Sequence, residues 1–126
     1  MGPHEQLVRE TFAAIEGGDF EALEQVLTPA ARWRAVEDGP WNCESRTQIV
    51  EVMRESRERG ALDGSVEAVE DLGPKAIVAF RPAHPGGEQW PLDGGIRYLV
   101  LTFAGERIAE LKGCTDRAAA LAYAGG

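Results

Sequence analysis

The spacing of apolar residues changes once along the chain, and this change limits the folds open to it. Before residue 60, most apolar residues recur every three or four positions, as on one face of a helix. From Ser65 onward they alternate with polar residues, as in strands, with turn signals at Gly73-Pro74 and Ala104-Gly105. Helices followed by a meander of strands predict an α+β fold, with helices packed on one face of a curved antiparallel sheet.

Local signals set the expected boundaries of these elements. Asp19 is suited to cap a second helix after Gly17-Gly18, and Ser45 with Gln48 forms a capping-box pattern ahead of a third helix. The predicted helices span residues 5–15, 20–27, 46–59 and 117–124, and the predicted strands span 32–36, 66–72, 75–81, 88–90 with 95–103, and 107–114.

Length and composition are typical of one globular domain covering residues 1–126. The chain is 44% hydrophobic and 27% charged, as ordinary folded domains are. Twenty-one acidic against 13 basic residues give a net charge of −8, and no cluster of Lys and Arg interrupts this excess. We therefore expect no nucleic-acid partner and no membrane partner. Without a recognisable signal peptide or a membrane-length apolar run, the expected location is cytoplasmic.

Two segments resemble the nuclear transport factor 2-like superfamily, which includes SnoaL-like and ketosteroid isomerase-like proteins. The segment Phe12–Trp33, FAAIEGGDFEALEQVLTPAARW, resembles its helix, Gly-Asp break, second helix and first strand. The segment Leu101–Leu121, LTFAGERIAELKGCTDRAAAL, resembles its last hairpin and the helix that follows. The resemblance implies a cystatin-like α+β barrel, in which a cone-shaped curved antiparallel sheet wraps around the N-terminal helices and encloses an apolar pocket.

The resemblance also identifies the positions that carry catalysis in the superfamily's enzymes. Ala35 and Leu99 stand where ketosteroid isomerases have acidic residues, and Thr11 stands near the place of their oxyanion-hole tyrosine. Gly113 occupies the place of the catalytic aspartate of limonene-epoxide hydrolases. Because these catalytic sets are not intact, the resemblance does not specify a reaction.

The longest predicted strand alternates between two faces, and the resemblance assigns one of them to the pocket. Small residues such as Ala35 and Gly113 leave space there, which predicts a pocket for a small hydrophobic or planar ligand. The alternative is that a larger neighbour such as Trp33 fills the space. The residues expected on this concave face are Trp33, Ala35, Arg97, Leu99, Leu101, Phe103, Ala109, Leu111 and Gly113.

Arg97 is the charged residue expected among them. Burying a guanidinium is costly unless acceptors meet it, so Arg97 is expected either to pair with Asp93 or Glu110 or to anchor an acidic or carbonyl group of a ligand. The catalytic residues are unknown, and Asp93 and Arg97 are weak candidates. An apolar site would raise the pKa of Asp93 toward that of a general base, although Asp-Gly-Gly is more typical of a turn.

The opposite, convex face of the same strand carries Ile96, Tyr98 and Val100 and is also apolar. A well-packed central strand explains this pattern, and so does a partner subunit. Since the resemblance implies that many relatives are homodimers, we expect a homodimer through this face.

Three classes of function remain open at this stage. The chain is expected to act as a cofactor-independent isomerase, cyclase or hydratase by acid–base chemistry, as a non-catalytic binding protein for a small hydrophobic ligand, or as a dimeric regulatory module. No cofactor is expected. The separated histidines, His4 and His84, without an ordered set of carboxylates, suggest no metal site. Cys43 and Cys114 lie far apart in the sequence, and their spacing leaves open whether they meet in space.

Overall fold

The order of helices and strands follows the order predicted from the sequence. The structure is a computed structural model that describes residues 4–35, 42–60, 63–83 and 95–125, so the strand predicted at 88–90 lies outside the described residues. The elements are α1 (Glu5–Gly17), α2 (Phe20–Val26), β1 (Leu27–Arg34), α3 (Arg46–Glu58), β2 (Gly64–Asp71), β3 (Lys75–Pro82), β4 (Arg97–Ala104), β5 (Arg107–Cys114) and α4 (Arg117–Gly125).

Side-chain caps begin two of the helices at the positions predicted from the sequence. The Asp19 carboxylate accepts a hydrogen bond of 3.1 Å from the backbone N–H of Ala22, at the start of α2. The Ser45 hydroxyl accepts one of 3.3 Å from the N–H of Gln48, at the start of α3. α1 ends at Gly18, whose φ of +77° lies in the left-handed region that favours glycine.

The strands form one curved, five-stranded sheet in the order β1-β5-β4-β3-β2. The pairs β2–β3, β3–β4 and β4–β5 are antiparallel, whereas β1 runs parallel to β5. The α+β fold is confirmed, but the sheet is mixed rather than antiparallel throughout. β1 also begins at Leu27, ahead of the predicted start at Arg32. It tolerates Pro29 because an edge strand leaves one side of its backbone unpaired.

The concave face of the sheet, defined here as the face covered by α1, α2 and α3, contains the main core. Leu99 and Leu101 of β4 both point into this core, as the alternation predicted. A bulge lies between β4 and β5, where Thr102 pairs with Glu110 but Phe103 pairs with Ile108. Ile108, and not Ala109 as predicted, therefore enters the concave core, because the bulge skips one residue.

The convex face, on the opposite side of the sheet, is covered in part by α4. Ala120 packs there with Ile77 and Val100 in a second buried cluster. The Tyr123 hydroxyl donates a 2.8 Å hydrogen bond to the carboxylate of Glu110 and ties the end of α4 to β5. Because helices cover both faces of the sheet, β4 is apolar on both sides.

Among the described residues, no helix combines the length and the apolar composition needed to cross a membrane.

Candidate functional site

A cavity of about 340 Å³ lies on the concave face, between the sheet and the helices α1 and α3. Its lining crosses all five strands and is largely apolar. The lining residues are Arg9, Phe12, Ala13, Ile15, Glu16, Trp33, Met53, Gly64, Ser65, Val66, Phe80, Arg97, Leu99 and Leu111.

The register of the sheet places the cavity floor on its central strands. Leu99 of β4 pairs with Gly113 of β5, and Leu111 of β5 pairs with Trp33 of β1. Leu99 and Leu111 are buried. Gly113 is buried and does not line the cavity, so the space expected above it from the sequence is not part of this cavity.

Aromatic side chains form the walls of the cavity. The rings of Phe12 on α1 and Phe80 on β3 stack with a centroid distance of 5.7 Å and an interplanar angle of 25°. Trp33 is fixed by a two-way backbone pairing with Cys43, in which each N–H donates to the other residue's carbonyl oxygen at 3.0 and 2.9 Å. Flat, apolar walls of this kind suit a planar ligand.

Gly64 allows the start of β2 to lie directly against one of these walls. Its φ is +151°, and a Cβ atom there would lie 2.2 Å from the carbonyl oxygen of Arg81 and 2.7 Å from the Phe80 ring. Only glycine fits at this close approach, so this side of the cavity depends on it.

The mouth of the cavity lies between α1 and β2, where the lining residues exposed to solvent are Arg9, Ala13, Glu16 and Ser65. The guanidinium of Arg9 lies 3.3 Å from the carboxylate of Glu5. The carbonyl oxygen of Glu16 accepts a 3.1 Å hydrogen bond from Arg57 of α3, which holds the end of α1 in place. Glu16 is the one carboxylate among the described lining residues.

Arg97, at the start of β4, pairs with Phe80 and brings a positive charge to the cavity. Burial lowers the pKa of its guanidinium from the usual value. The group still carries its charge at neutral pH, because the pKa of arginine starts far above neutrality.

One predicted partner of Arg97 is wrong. The Glu110 carboxylate accepts hydrogen bonds from Arg34 at 3.2 Å and from Tyr123 at 2.8 Å, on the convex face. The next residue of β5, Leu111, lines the cavity. Because neighbouring residues of a strand point to opposite faces, Glu110 is directed away from the cavity and from Arg97. Asp93, the other predicted partner and one of the two weak catalytic candidates, lies outside the described residues.

Of the nine residues predicted for the pocket, the structure brings four together, and Ala109 is displaced from the concave core by the bulge between β4 and β5. Trp33, Arg97, Leu99 and Leu111 line the cavity. That any of them contacts a ligand stays a prediction. Ala35, Leu101, Phe103 and Gly113 are not part of the lining.

These four residues lie elsewhere for identifiable reasons. Leu101 is completely buried in the core, and Gly113 is buried beneath the floor. Phe103 stacks on His4 with a centroid distance of 3.8 Å. Ala35 follows β1, where its N–H donates to the Asn42 side chain at 2.8 Å.

Sequence reasoning missed the contribution of the helices and of the far strands. Phe12 and Ile15 were recognisable as an apolar helical stripe, but the same stripe is typical of simple core packing. Nothing in the sequence indicated that Glu16 and Gly64 border a cavity. Thr11, considered above for its place in the resemblance, donates a 2.7 Å hydrogen bond to Leu7 within α1 and is buried.

The cysteines lie on opposite faces of the sheet. Cys43 is buried in the concave core and Cys114 in the convex cluster, and both are present as thiols. Burial raises the pKa of both thiols, which keeps them protonated and unreactive at neutral pH. Within the described ranges, no group of His, Cys, Asp and Glu side chains is arranged to hold a metal ion.

Comparison with known proteins identifies the fold. Neither protein-family models nor curated protein sequences give a match to the chain. Among solved structures, a candidate polyketide cyclase from Sinorhizobium meliloti is 20% identical, with a TM-score of 0.68 over 86% of this chain and 93% of the other. An NTF2-like protein of unknown function from Cytophaga hutchinsonii is 14% identical, with a TM-score of 0.65 over 92% of each chain. The chain has the nuclear transport factor 2-like fold.

The nuclear transport factor 2-like fold does not by itself identify a function. A de novo designed protein with a curved β-sheet is 18% identical, with a TM-score of 0.67 over 94% of this chain and 90% of its own. It resembles this chain as closely as the natural proteins do. Function must therefore be argued from the cavity and its side chains.

Proposed function

We propose that this nuclear transport factor 2-like domain binds a small hydrophobic ligand in the cavity between α1 and the sheet. The observation that carries the proposal is a cavity of about 340 Å³ with aromatic walls and an aliphatic floor. Its volume falls within the range of about 300–1,000 Å³ that is usual for small-molecule sites. The cavity opens to solvent at its mouth, so a hydrophobic ligand would displace water from its apolar walls, and that displacement favours binding.

A second candidate function is acid–base catalysis on such a ligand, as in a cofactor-independent isomerase, cyclase or hydratase. The resemblance to a candidate polyketide cyclase is one of fold alone. The observation that favours catalysis is Glu16, a carboxylate at the mouth within reach of a bound molecule. Glu16→Gln would abolish turnover while leaving ligand affinity intact. A binding protein would show no turnover in either form.

The binding proposal is tested by filling the cavity from its floor. Leu99→Trp places an indole in the cavity, whereas Leu121→Trp makes the same substitution on α4, where the side chain is 40% exposed and outside the cavity. Native mass spectrometry of protein purified without denaturation, before and after organic extraction, would measure any bound molecule. We expect extractable extra mass in the wild type and in Leu121→Trp, and none in Leu99→Trp.

Two further controls make the result decisive. Thermal unfolding would show whether Leu99→Trp is folded, and Ala13→Trp at the exposed mouth would block access without disturbing the floor. Because a native ligand is sometimes lost on purification, each protein is also titrated with 2-naphthamide, a neutral two-ring probe. Equal binding of this probe by the wild type and both blocked variants would refute the proposal.

We also propose that the chain forms a homodimer through the part of the convex face that α4 leaves accessible. Ile96 and Tyr98 are half-buried there, whereas Val100 is 0% exposed beneath α4. The combined variant Ile96→Asp and Tyr98→Asp would be monomeric by light scattering, because two carboxylates would have to be desolvated at the interface. A dimer mass unchanged by this variant would exclude the interface.

A further inference from the structure

The charge of the cavity is opposite in sign to the charge of the chain. The chain has a net charge of −8, yet the described lining carries two arginines, Arg9 and Arg97, against one carboxylate, Glu16. Arg9 and Glu16 are exposed at the mouth, so their charges are well solvated. Arg97 is half-buried, so water screens its charge less, and this charge is therefore the strongest source of electric field inside the cavity.

The environment of Arg97 suits an anionic group better than a neutral one. Burial removes part of the water around the guanidinium and lowers its pKa. A carboxylate that enters the cavity replaces this lost solvation with charge-assisted hydrogen bonds, and a guanidinium matches its two oxygens in a bidentate pair. A single inner guanidinium, with Glu16 at the mouth, favours one negative charge over two.

The volume limits the size of the apolar part of the ligand. An engineered apolar cavity of about 150 Å³ holds benzene, which has about six non-hydrogen atoms. At the same volume per atom, a cavity of about 340 Å³ holds about 14 non-hydrogen atoms. This corresponds to two fused rings with a small substituent. Four fused rings would have to extend through the mouth past Arg9 and Glu16.

The shape of the walls restricts the ligand further. Phe12 and Phe80 stack against each other at β3, whereas Trp33 belongs to β1, which lies beyond β4 and β5 in the strand order. Because Arg97 pairs with Phe80 across β3 and β4, its guanidinium lies at the same end of the cavity as that stack. A flat ligand lying over Leu99 would contact the aromatic walls and present its edge to Arg97.

We propose that the ligand is a planar two-ring monocarboxylate, with its rings over Leu99 between the aromatic walls and its carboxylate on the Arg97 guanidinium. This inference rests on the proposed function and adds the chemical class and orientation of the ligand.

The test compares an acid with its neutral analogue of equal shape. Isothermal titration calorimetry would measure 2-naphthoic acid and 2-naphthamide against the wild type, Arg97→Leu and Arg107→Leu. Arg107 is exposed on β5 and is not in the lining, so Arg107→Leu matches the change in residue type and in net charge. Arg97→Gln serves as a second variant if thermal unfolding shows that Arg97→Leu is not folded.

We expect the wild type and Arg107→Leu to bind the acid at least tenfold more tightly than the amide, and Arg97→Leu to bind both equally. Pyrene-1-carboxylic acid, a four-ring acid, should bind at least tenfold more weakly than 2-naphthoic acid because it exceeds the volume of the cavity. Equal affinity of the wild type for acid and amide would overturn the carboxylate assignment and leave the binding proposal standing. Tighter binding of the pyrene acid would overturn the size limit. If neither naphthalene probe binds, the binding proposal fails as well.

Discussion

Replacing Gly64 by Ala tests whether the close approach of β2 to the cavity wall is as tight as the structure indicates. The backbone at this position has a φ of +151°, in a region that L side chains rarely adopt, which costs about 1–3 kcal/mol. The new Cβ would also lie 2.2 Å from the carbonyl oxygen of Arg81, a backbone atom that cannot rotate away. Forcing β2 and β3 apart there adds about 1–3 kcal/mol, so Gly64→Ala should lower the free energy of unfolding by about 2–6 kcal/mol.

A second glycine separates these two contributions. Gly73 has a φ of +93° with nothing within 4 Å of the position of an added Cβ. Gly73→Ala therefore carries only the cost of the backbone conformation, about 1 kcal/mol. Urea unfolding followed by circular dichroism would measure both variants under the same conditions. Equal losses of stability at the two glycines would refute the collision at Gly64.

Two further predictions concern α4 and the cysteines. Tyr123→Phe should lower the free energy of unfolding by about 1 kcal/mol at neutral pH, measured by urea denaturation, because it removes the 2.8 Å hydrogen bond to Glu110. Burial first, and Glu110 second, raise the pKa of Tyr123 to about 12. An unfolded tyrosine titrates near pH 10, so the wild type should lose stability relative to Tyr123→Phe as the pH rises from about 10 to about 12; an unchanged difference over this range would contradict the assignment. The thiols of Cys43 and Cys114 should react with 5,5′-dithiobis(2-nitrobenzoic acid) about a hundredfold more slowly in the native protein than in guanidinium chloride, because both are buried. Fast reaction of either thiol would contradict its burial. An intramolecular disulfide formed without unfolding would contradict the placement of the two cysteines on opposite faces of the sheet.

The parts of the fold that depend on neighbouring residues were predictable from the sequence. Asp19 and Ser45 cap helices through hydrogen bonds to residues three positions ahead, and such local bonds leave a clear pattern. The alternation along β4 placed Leu99 and Leu101 on the same face because strand geometry has a period of two residues.

The parts that depend on distant contacts were not predictable. The parallel pairing of β1 with β5, for example Trp33 with Leu111, joins residues far apart in the chain. The bulge that places Ile108 rather than Ala109 in the concave core depends on the register between β4 and β5, and the alternation within one strand does not reveal it. The apolar convex side of β4 has α4 as its cover, although a partner subunit would leave the same pattern in the sequence.

The candidate site was predicted only where the strands form it. Arg97, Leu99 and Leu111 were predicted from the alternation together with the face that the family resemblance assigned to the pocket. Glu16 and Gly64 enter the cavity because α1 and β2 pack across the sheet. Glu110 was misassigned as a partner of Arg97 because the side of the sheet to which a carboxylate turns depends on register.

Chemical-shift mapping tests most directly whether the concave cavity is the ligand site. In the ¹H–¹⁵N spectrum of the protein titrated with 2-naphthamide, we predict the largest shifts for the backbone amides of Leu99, Leu111 and Phe12, which line the cavity. The amides of Val100 and Ala120, in the convex cluster, should change little. Shifts concentrated on Val100 and Ala120, or no saturable shifts at Leu99 and Leu111, would contradict the account.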